Sequence, residues 1–115
     1  MVVDQERSDA TDRLFHALAD ATRRDIVARV VEREQSVSEL ARVYAMSFAA
    51  VQKHVAVLER AGLVTKRRRG REQIVHSDLA AVRLAAHLLD SYEQIWRRRI
   101  DRIGDILSET EKGSG

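Results

Sequence analysis

From Leu79 to Leu107 the apolar residues Val82, Ala85, Leu89, Tyr92, Trp96, Ile100, Ile103 and Leu107 recur at steps of three or four, the period that collects side chains on one face of an α-helix. Asp78 precedes the stretch as a candidate N-cap. A helix over 79–107 would be roughly 43 Å long at 1.5 Å per residue, longer than a small domain is wide. Part of its stripe must find cover outside its own domain. A bend at Gly104 within one chain is one solution; the same helix of a second copy, packed about a two-fold axis, is the simpler one, because long exposed apolar stripes are rare on monomers. Leu89, Tyr92, Trp96, Ile100 and Ile103 are the expected contacts.

At 115 residues the chain reads as one modest domain. In 11–32, Leu14, Leu18, Ile26, Val27, Val30 and Val31 fall near helical spacing, interrupted at Asp20-Ala21-Thr22. Two helices are expected, with Thr11 or Asp12 capping the first and Asp20 or Thr22 the second. The stretch "SVSELARVYAMSFAAVQKHVAVLERAGLV" then gives a short helix opened by Ser38, carrying Leu40, Ala41 and Tyr44. A second helix is opened by Ser47, carries Val51, Val55 and Leu58, and stops at Gly62. After Gly62, "LVTKRR" and "REQIVHS" are β-compatible runs around Arg69-Gly70, which reads as a hairpin with a cationic tip.

The predicted fold is mainly α with a small β-hairpin, in the order α-α-α-α-β-β-α, which is that of a winged helix-turn-helix. The folded domain is expected over 11–108, with loose tails at 1–10 and 109–115. In this architecture the helix after Ser47 enters the major groove of double-stranded DNA. Val51, Val55 and Leu58 face the core, while Ser47, Phe48, Ala49, Gln52 and Lys53 face outward. Gln52 suits adenine, Lys53 guanine or phosphate, Phe48 and Ala49 a thymine methyl, and His54 phosphate. Arg67, Arg69 and Arg71 alternate along the hairpin and are expected on its DNA-contacting face, with Lys66 and Arg68 turned the other way.

Charge agrees with this placement. The formal balance is only +2, from 20 Lys and Arg against 18 Asp and Glu. The acids gather near the N-terminus at Asp4, Glu6, Asp9, Asp12 and Asp20, and the bases at 65–71 and 97–99. The chain has no cysteine, which excludes disulfides, thiolate metal sites and cysteine nucleophiles. It has no phosphate-binding glycine loop and no nucleophile with an identifiable base, so an enzyme is not expected. No membrane-length apolar run and no signal-peptide pattern appear, so a cytoplasmic protein is expected.

The stretches "LFHALADATRRDIVARV", 36–72 and "HSDLAAVRLAA" resemble the ArsR-type family of bacterial transcriptional regulators over roughly residues 12 to 105. The family's "LADPTRRxIL" opening is matched by Leu18 to Val27, with Ala21 in place of the proline. Its "SxxAVSxHLxxLxxAGLV" core is matched by Ser47 to Val64, with Gln52 in place of the central serine. The resemblance implies a homodimer, paired through the first and last helices, that binds operator DNA as a repressor, and it makes Leu14 the expected dimer contact of the first helix. It places Ser47, Phe48, Ala49, Gln52, Lys53 and His54 in the recognition helix and Arg67 to Arg71 in the wing. Many relatives bind metal through a cysteine pair in the helix matched by "SVSELARVY", or through Asp and His of the last helix. Here the cysteines are absent, and Ala80, Ser91 and Gln94 accompany Asp78, so no such metal site is expected. His87 and Asp90, with Glu93 a turn on, lie on one helix face and are read as surface side chains rather than ligands. No cofactor is expected, and a small-molecule effector of unknown identity stays open. The competing reading is a winged-helix protein-interaction module without sequence-specific DNA binding.

Overall fold

In the computed structural model the backbone is described for residues 2–113 and side chains for 9–109. The elements are α1 (Val2–Leu18), α2 (Ala21–Glu32), β1 (Gln35–Ser36), α3 (Val37–Tyr44), α4 (Phe48–Arg60), β2 (Val64–Arg69), β3 (Glu72–Ser77) and α5 (Leu79–Gly113). Both terminal helices run into the segments expected to be loose, α1 back to Val2 and α5 on to Gly113. Residues 1, 114 and 115 lie outside the described residues.

The helix starts follow from side chains that take up orphaned amides. Asp20 caps α2, its Oδ1 accepting from the Arg23 amide at 3.0 Å. The start of α3 corrects an expectation, since its N-cap is Ser36 and not Ser38. Ser36 has Glu39 three residues on, which makes a reciprocal capping box: the Ser36 hydroxyl accepts from the Glu39 amide, and the Glu39 carboxylate from the Ser36 amide. Ser38 is followed at that distance by Ala41, which offers nothing back. Ser47 caps α4, its hydroxyl accepting from the Ala50 amide at 3.1 Å, and Asp78 caps α5 through the Ala81 amide.

α4 ends where Gly62 adopts φ 80°. The Leu63 amide then reaches the Leu58 carbonyl and the Gly62 amide that of Glu59, both at 3.0 Å, which turns the chain directly into β2.

Strands β2 and β3 pair antiparallel from Val64↔Ser77 to Arg69↔Glu72. The hairpin loop is therefore Gly70-Arg71, one residue later than the Arg69-Gly70 tip expected, with Gly70 at φ 64°. The sheet also has a third strand: β1 pairs with β3 through Gln35↔Val75 and Ser36↔Ile74, in the order β1-β3-β2. A two-residue strand has no periodicity to announce it. It matters because it brings the segment before α3 to the wing.

Residues 1–82 form one compact unit. Its core is Ala17, Ile26, Val30, Val37, Leu40, Val51, Val55, Leu58, Leu63, Val64, Ile74 and Val75, all at 5% exposure or less. Val31, assigned to the same stripe from its spacing, is instead 40% exposed. A polar pin joins α2 to α3: the Tyr44 hydroxyl donates to the Asp25 carboxylate, and the Arg29 guanidinium donates to the same oxygen at 2.9 Å with its carbon 5.6 Å from the Tyr44 ring centre. Residues 83–113 form the second unit, the remainder of α5.

Candidate DNA interface

Three residues of the α4 core face, Val51, Val55 and Leu58, are fully buried. Their burial fixes the rotation of the helix. The opposite face therefore projects from the unit, with Phe48 at 46% exposure and Ala49 and Lys53 exposed. Met46, two residues before Phe48, and Val43 are also exposed. The helix-turn-helix corner thus carries an apolar patch of which spacing had singled out only Phe48 and Ala49.

Three other candidates on this helix have work inside the chain. The Ser47 hydroxyl is held by the Ala50 amide. Gln52 is half-buried, and its Nε2 donates to Gln73 Oε1 on β3 at 2.9 Å. One amide hydrogen and the carbonyl of Gln52 stay available, which still permits a two-bond contact to adenine. His54 is half-buried with Nδ1 3.4 Å from an Arg23 guanidinium nitrogen, so it faces α2 and not outward to a phosphate as expected.

Residue alternation along the wing puts Lys66 and Arg68 on the face shared with Gln73 and Val75, and Arg67 and Arg69 on the face shared with Ile74 and Glu72. The first face is the one turned to α4, because Lys66 Nζ lies 3.7 Å from Glu59 and Gln73 meets Gln52. Arg67 and Arg69 do share a face; Arg71 sits in the loop and so belongs to neither. Arg69 is paired with Glu34, guanidinium to carboxylate, at 2.9 Å. The Arg68 Nε donates to the Gly70 carbonyl at 3.3 Å. Arg67 and Arg71 are exposed and form no ion pair among the described residues. Gln73 and Glu34 were missed from sequence. The alternation of β3 places Gln73 on the face of Val75, but nothing local marks Glu34.

A helix-turn-helix domain family matches residues 18–67, which span α2 through the middle of β2. The HTH-type transcriptional regulator Rv2034 of Mycobacterium tuberculosis is 37% identical over 96 residues, covering 84% of this chain and 87% of that protein. An ArsR-like transcriptional regulator from Rhodococcus sp. RHA1 is 31% identical with a TM-score of 0.67, covering 88% of this chain and 95% of the other. The chain belongs to the ArsR family of transcriptional regulators. The homodimeric winged helix-turn-helix DNA-binding domain Mb0332 from Mycobacterium bovis, at 23% identity, TM-score 0.68 and coverage of 83% and 89%, shares the fold.

Within this ArsR-family regulator the five residues named on α5 are all outward: Leu89 at 46%, Tyr92 at 47%, Trp96 at 63%, Ile100 at 61% and Ile103 at 56%. Ile95, Ile106 and Leu107 widen the same apolar surface, each at 47% or more. Leu14 is different. At 7% exposure it packs in the core of its own unit, which leaves almost no surface for a partner and removes it from the candidate interface. His87, Asp90 and Glu93 line a shallow surface depression with Ala86 and Leu89. No three His, Asp or Glu side chains converge as a metal site among the described residues. None of the described helices is long and apolar enough to cross a membrane.

Three titrating groups of this unit, Asp20, Asp25 and Tyr44, are displaced from their ordinary values. The backbone hydrogen bond from Arg23 holds the Asp20 carboxyl below its usual range. The Tyr44 hydroxyl, then Arg29, do the same for Asp25, while burial and the Asp25 charge push the Tyr44 phenol up to about 12.

Proposed function

We propose that this regulator is a homodimer that recognises an inverted-repeat operator and acts as a repressor. The observation that carries the reading is the pairing of two surfaces in one unit. The first turns of α4 present Phe48, Ala49 and Lys53 outward, beside a wing whose Arg67 and Arg71 have no acid partner among the described residues. A helix of this width fits the major groove, and unpaired arginines beside it meet phosphate. Gln52, steadied by Gln73, is the side chain on α4 best suited to reading an adenine edge.

The stripe from Leu89 to Ile103 supports the dimer. It is exposed in the single chain and has the length and composition of a helix seam rather than of a solvated face. Two copies related by a two-fold axis would present two α4 helices to successive major grooves.

Titrating promoter DNA across a salt series tests the reading. Four wing arginines, Arg67 and Arg71 of each chain, contribute a slope near −0.9 per phosphate contact, so affinity should fall roughly 100-fold between about 50 and 200 mM salt from these contacts alone. Removing both arginines should abolish that share. Binding that survives the double substitution unchanged would reject the wing contacts, and no measurable binding to any duplex would reject the DNA reading in favour of a protein-docking module.

A further inference from the structure

Glu34 lies in the short segment between α2 and β1, and its carboxylate is divided between two residues of the wing. Oε1 accepts from the Arg69 guanidinium at 2.9 Å, and Oε2 lies 3.0 Å from His76 Nδ1. His76 has its other nitrogen, Nε2, shut away from solvent with no hydrogen-bond partner, so the bond to Glu34 is the one that orients the ring. The ring in turn holds the carboxylate at the sheet. Arg69 ends β2 opposite a second acid, Glu72. Of the wing cations, Lys66 also has an acidic partner, but at the longer distance of 3.7 Å.

A carboxylate engages a guanidinium through the same donors and at the same distances as a phosphate does. Glu34 therefore occupies a donor of Arg69 that a duplex backbone would use. The geometry points to Glu34 as an internal phosphate mimic that holds Arg69 off the DNA in the free protein, so that Arg69 joins the backbone contacts only when phosphate displaces the carboxylate. This rests on the DNA-binding reading above and adds to it a residue that tunes affinity. The side chains are 65% and 39% exposed, so the pair is screened and readily exchanged. Because backbone contacts carry no sequence information, a latch on one of them weakens binding to every duplex and leaves operator preference to α4.

The test compares wild type, Glu34→Gln, Arg69→Ala and the double variant on a random-sequence duplex over a salt series. Glutamine keeps the shape and an oxygen for His76 while removing the charge. Glu34→Gln should bind roughly two- to fivefold more tightly at low salt, with a salt slope close to that of wild type, because Arg69 meets phosphate in both complexes. In the Arg69→Ala background the same substitution should gain nothing. Glu34→Asp, which keeps the charge but withdraws it by one methylene, should also bind more tightly than wild type, and it serves if the glutamine variant folds poorly. An unchanged or weaker Glu34→Gln overturns the proposal, as does a gain that persists without Arg69, since the carboxylate would then act as a general charge. A wild type with no salt-dependent binding to any duplex fails earlier and rejects the DNA reading itself.

Discussion

Replacing Arg23 by alanine should destabilise the fold by about 2–3 kcal/mol, because one side chain closes the end of α1 and meets α4. From the first turn of α2 its Nε donates to the Ala17 carbonyl at 2.8 Å and a terminal nitrogen to the His16 carbonyl at 2.9 Å. Those carbonyls belong to the last turn of α1, where the helix itself supplies too few donors. Each bond has a charged donor, worth about 1.5–3 kcal/mol when sheltered. The contact to His16 is exposed and is discounted accordingly, and the 3.4 Å contact to His54 adds little at that length. For a chain of this size the loss should lower Tm by on the order of 10 °C. Urea unfolding at fixed protein concentration measures it, with the midpoint moving and the m-value constant. Arg23→Lys keeps the cation but cannot span two carbonyls and should recover less than half of the loss. A stability within about 0.5 kcal/mol of wild type for Arg23→Ala would refute the argument. Full rescue by lysine would show that charge near the helix end matters and the fork does not.

Gln73→Ala frees the Gln52 carboxamide, so it should flatten preference at one base position while changing affinity for random DNA little; selection from a randomised operator reads both quantities. Trp96→Asp places a charge in the proposed helix seam and should weaken dimerisation at least about 100-fold, given about 1.5–3 kcal/mol for each large side chain buried in two copies; sedimentation equilibrium measures it, and an unchanged dimer would move the interface elsewhere. Gly70→Ala should cost about 1–2 kcal/mol through its positive φ alone, since an added Cβ there would meet nothing within 4 Å; a melt detects the loss. The Asp25 carboxyl is held below its usual 3.8 by Tyr44 and Arg29, so its contribution is present above that value and is lost as pH falls through the lower folded value. Asp25→Asn should therefore melt lower than wild type at neutral pH and match it in strong acid.

The order of the elements was legible because each signal is local. The Ser47 cap, the buried triplet Val51, Val55 and Leu58, the stop at Gly62 and the cap at Asp78 all stand where spacing and side-chain chemistry put them. The helix register told which residues of α4 face out, and Phe48, Ala49 and Lys53 do. Less legible was the use each outward side chain makes of its neighbours. His54 turns to Arg23, and Gln52 to Gln73, through contacts 31 and 21 residues apart in the chain. The hairpin loop was misplaced by one residue because Arg69-Gly70 and Gly70-Arg71 are equally good turns locally. Pairing with β1 and the burial of Ile74 and Val75 choose between them.

Sequence by itself determined the fold class, the helix that faces outward beside the wing and the apolar stripe of α5, which follow from periodicity and from capping chemistry within a few residues, and it pointed to the family through the resemblance of its motifs. Tertiary structure decided which cations are free. Five stand together in 65–71, yet Lys66 is matched by Glu59 and Arg69 by Glu34, while Leu14, in the same helical pattern as its neighbours, is consumed by the core. A charge or a methyl group has one neighbourhood along the chain and another in space. Coulomb attraction and burial act only through the second.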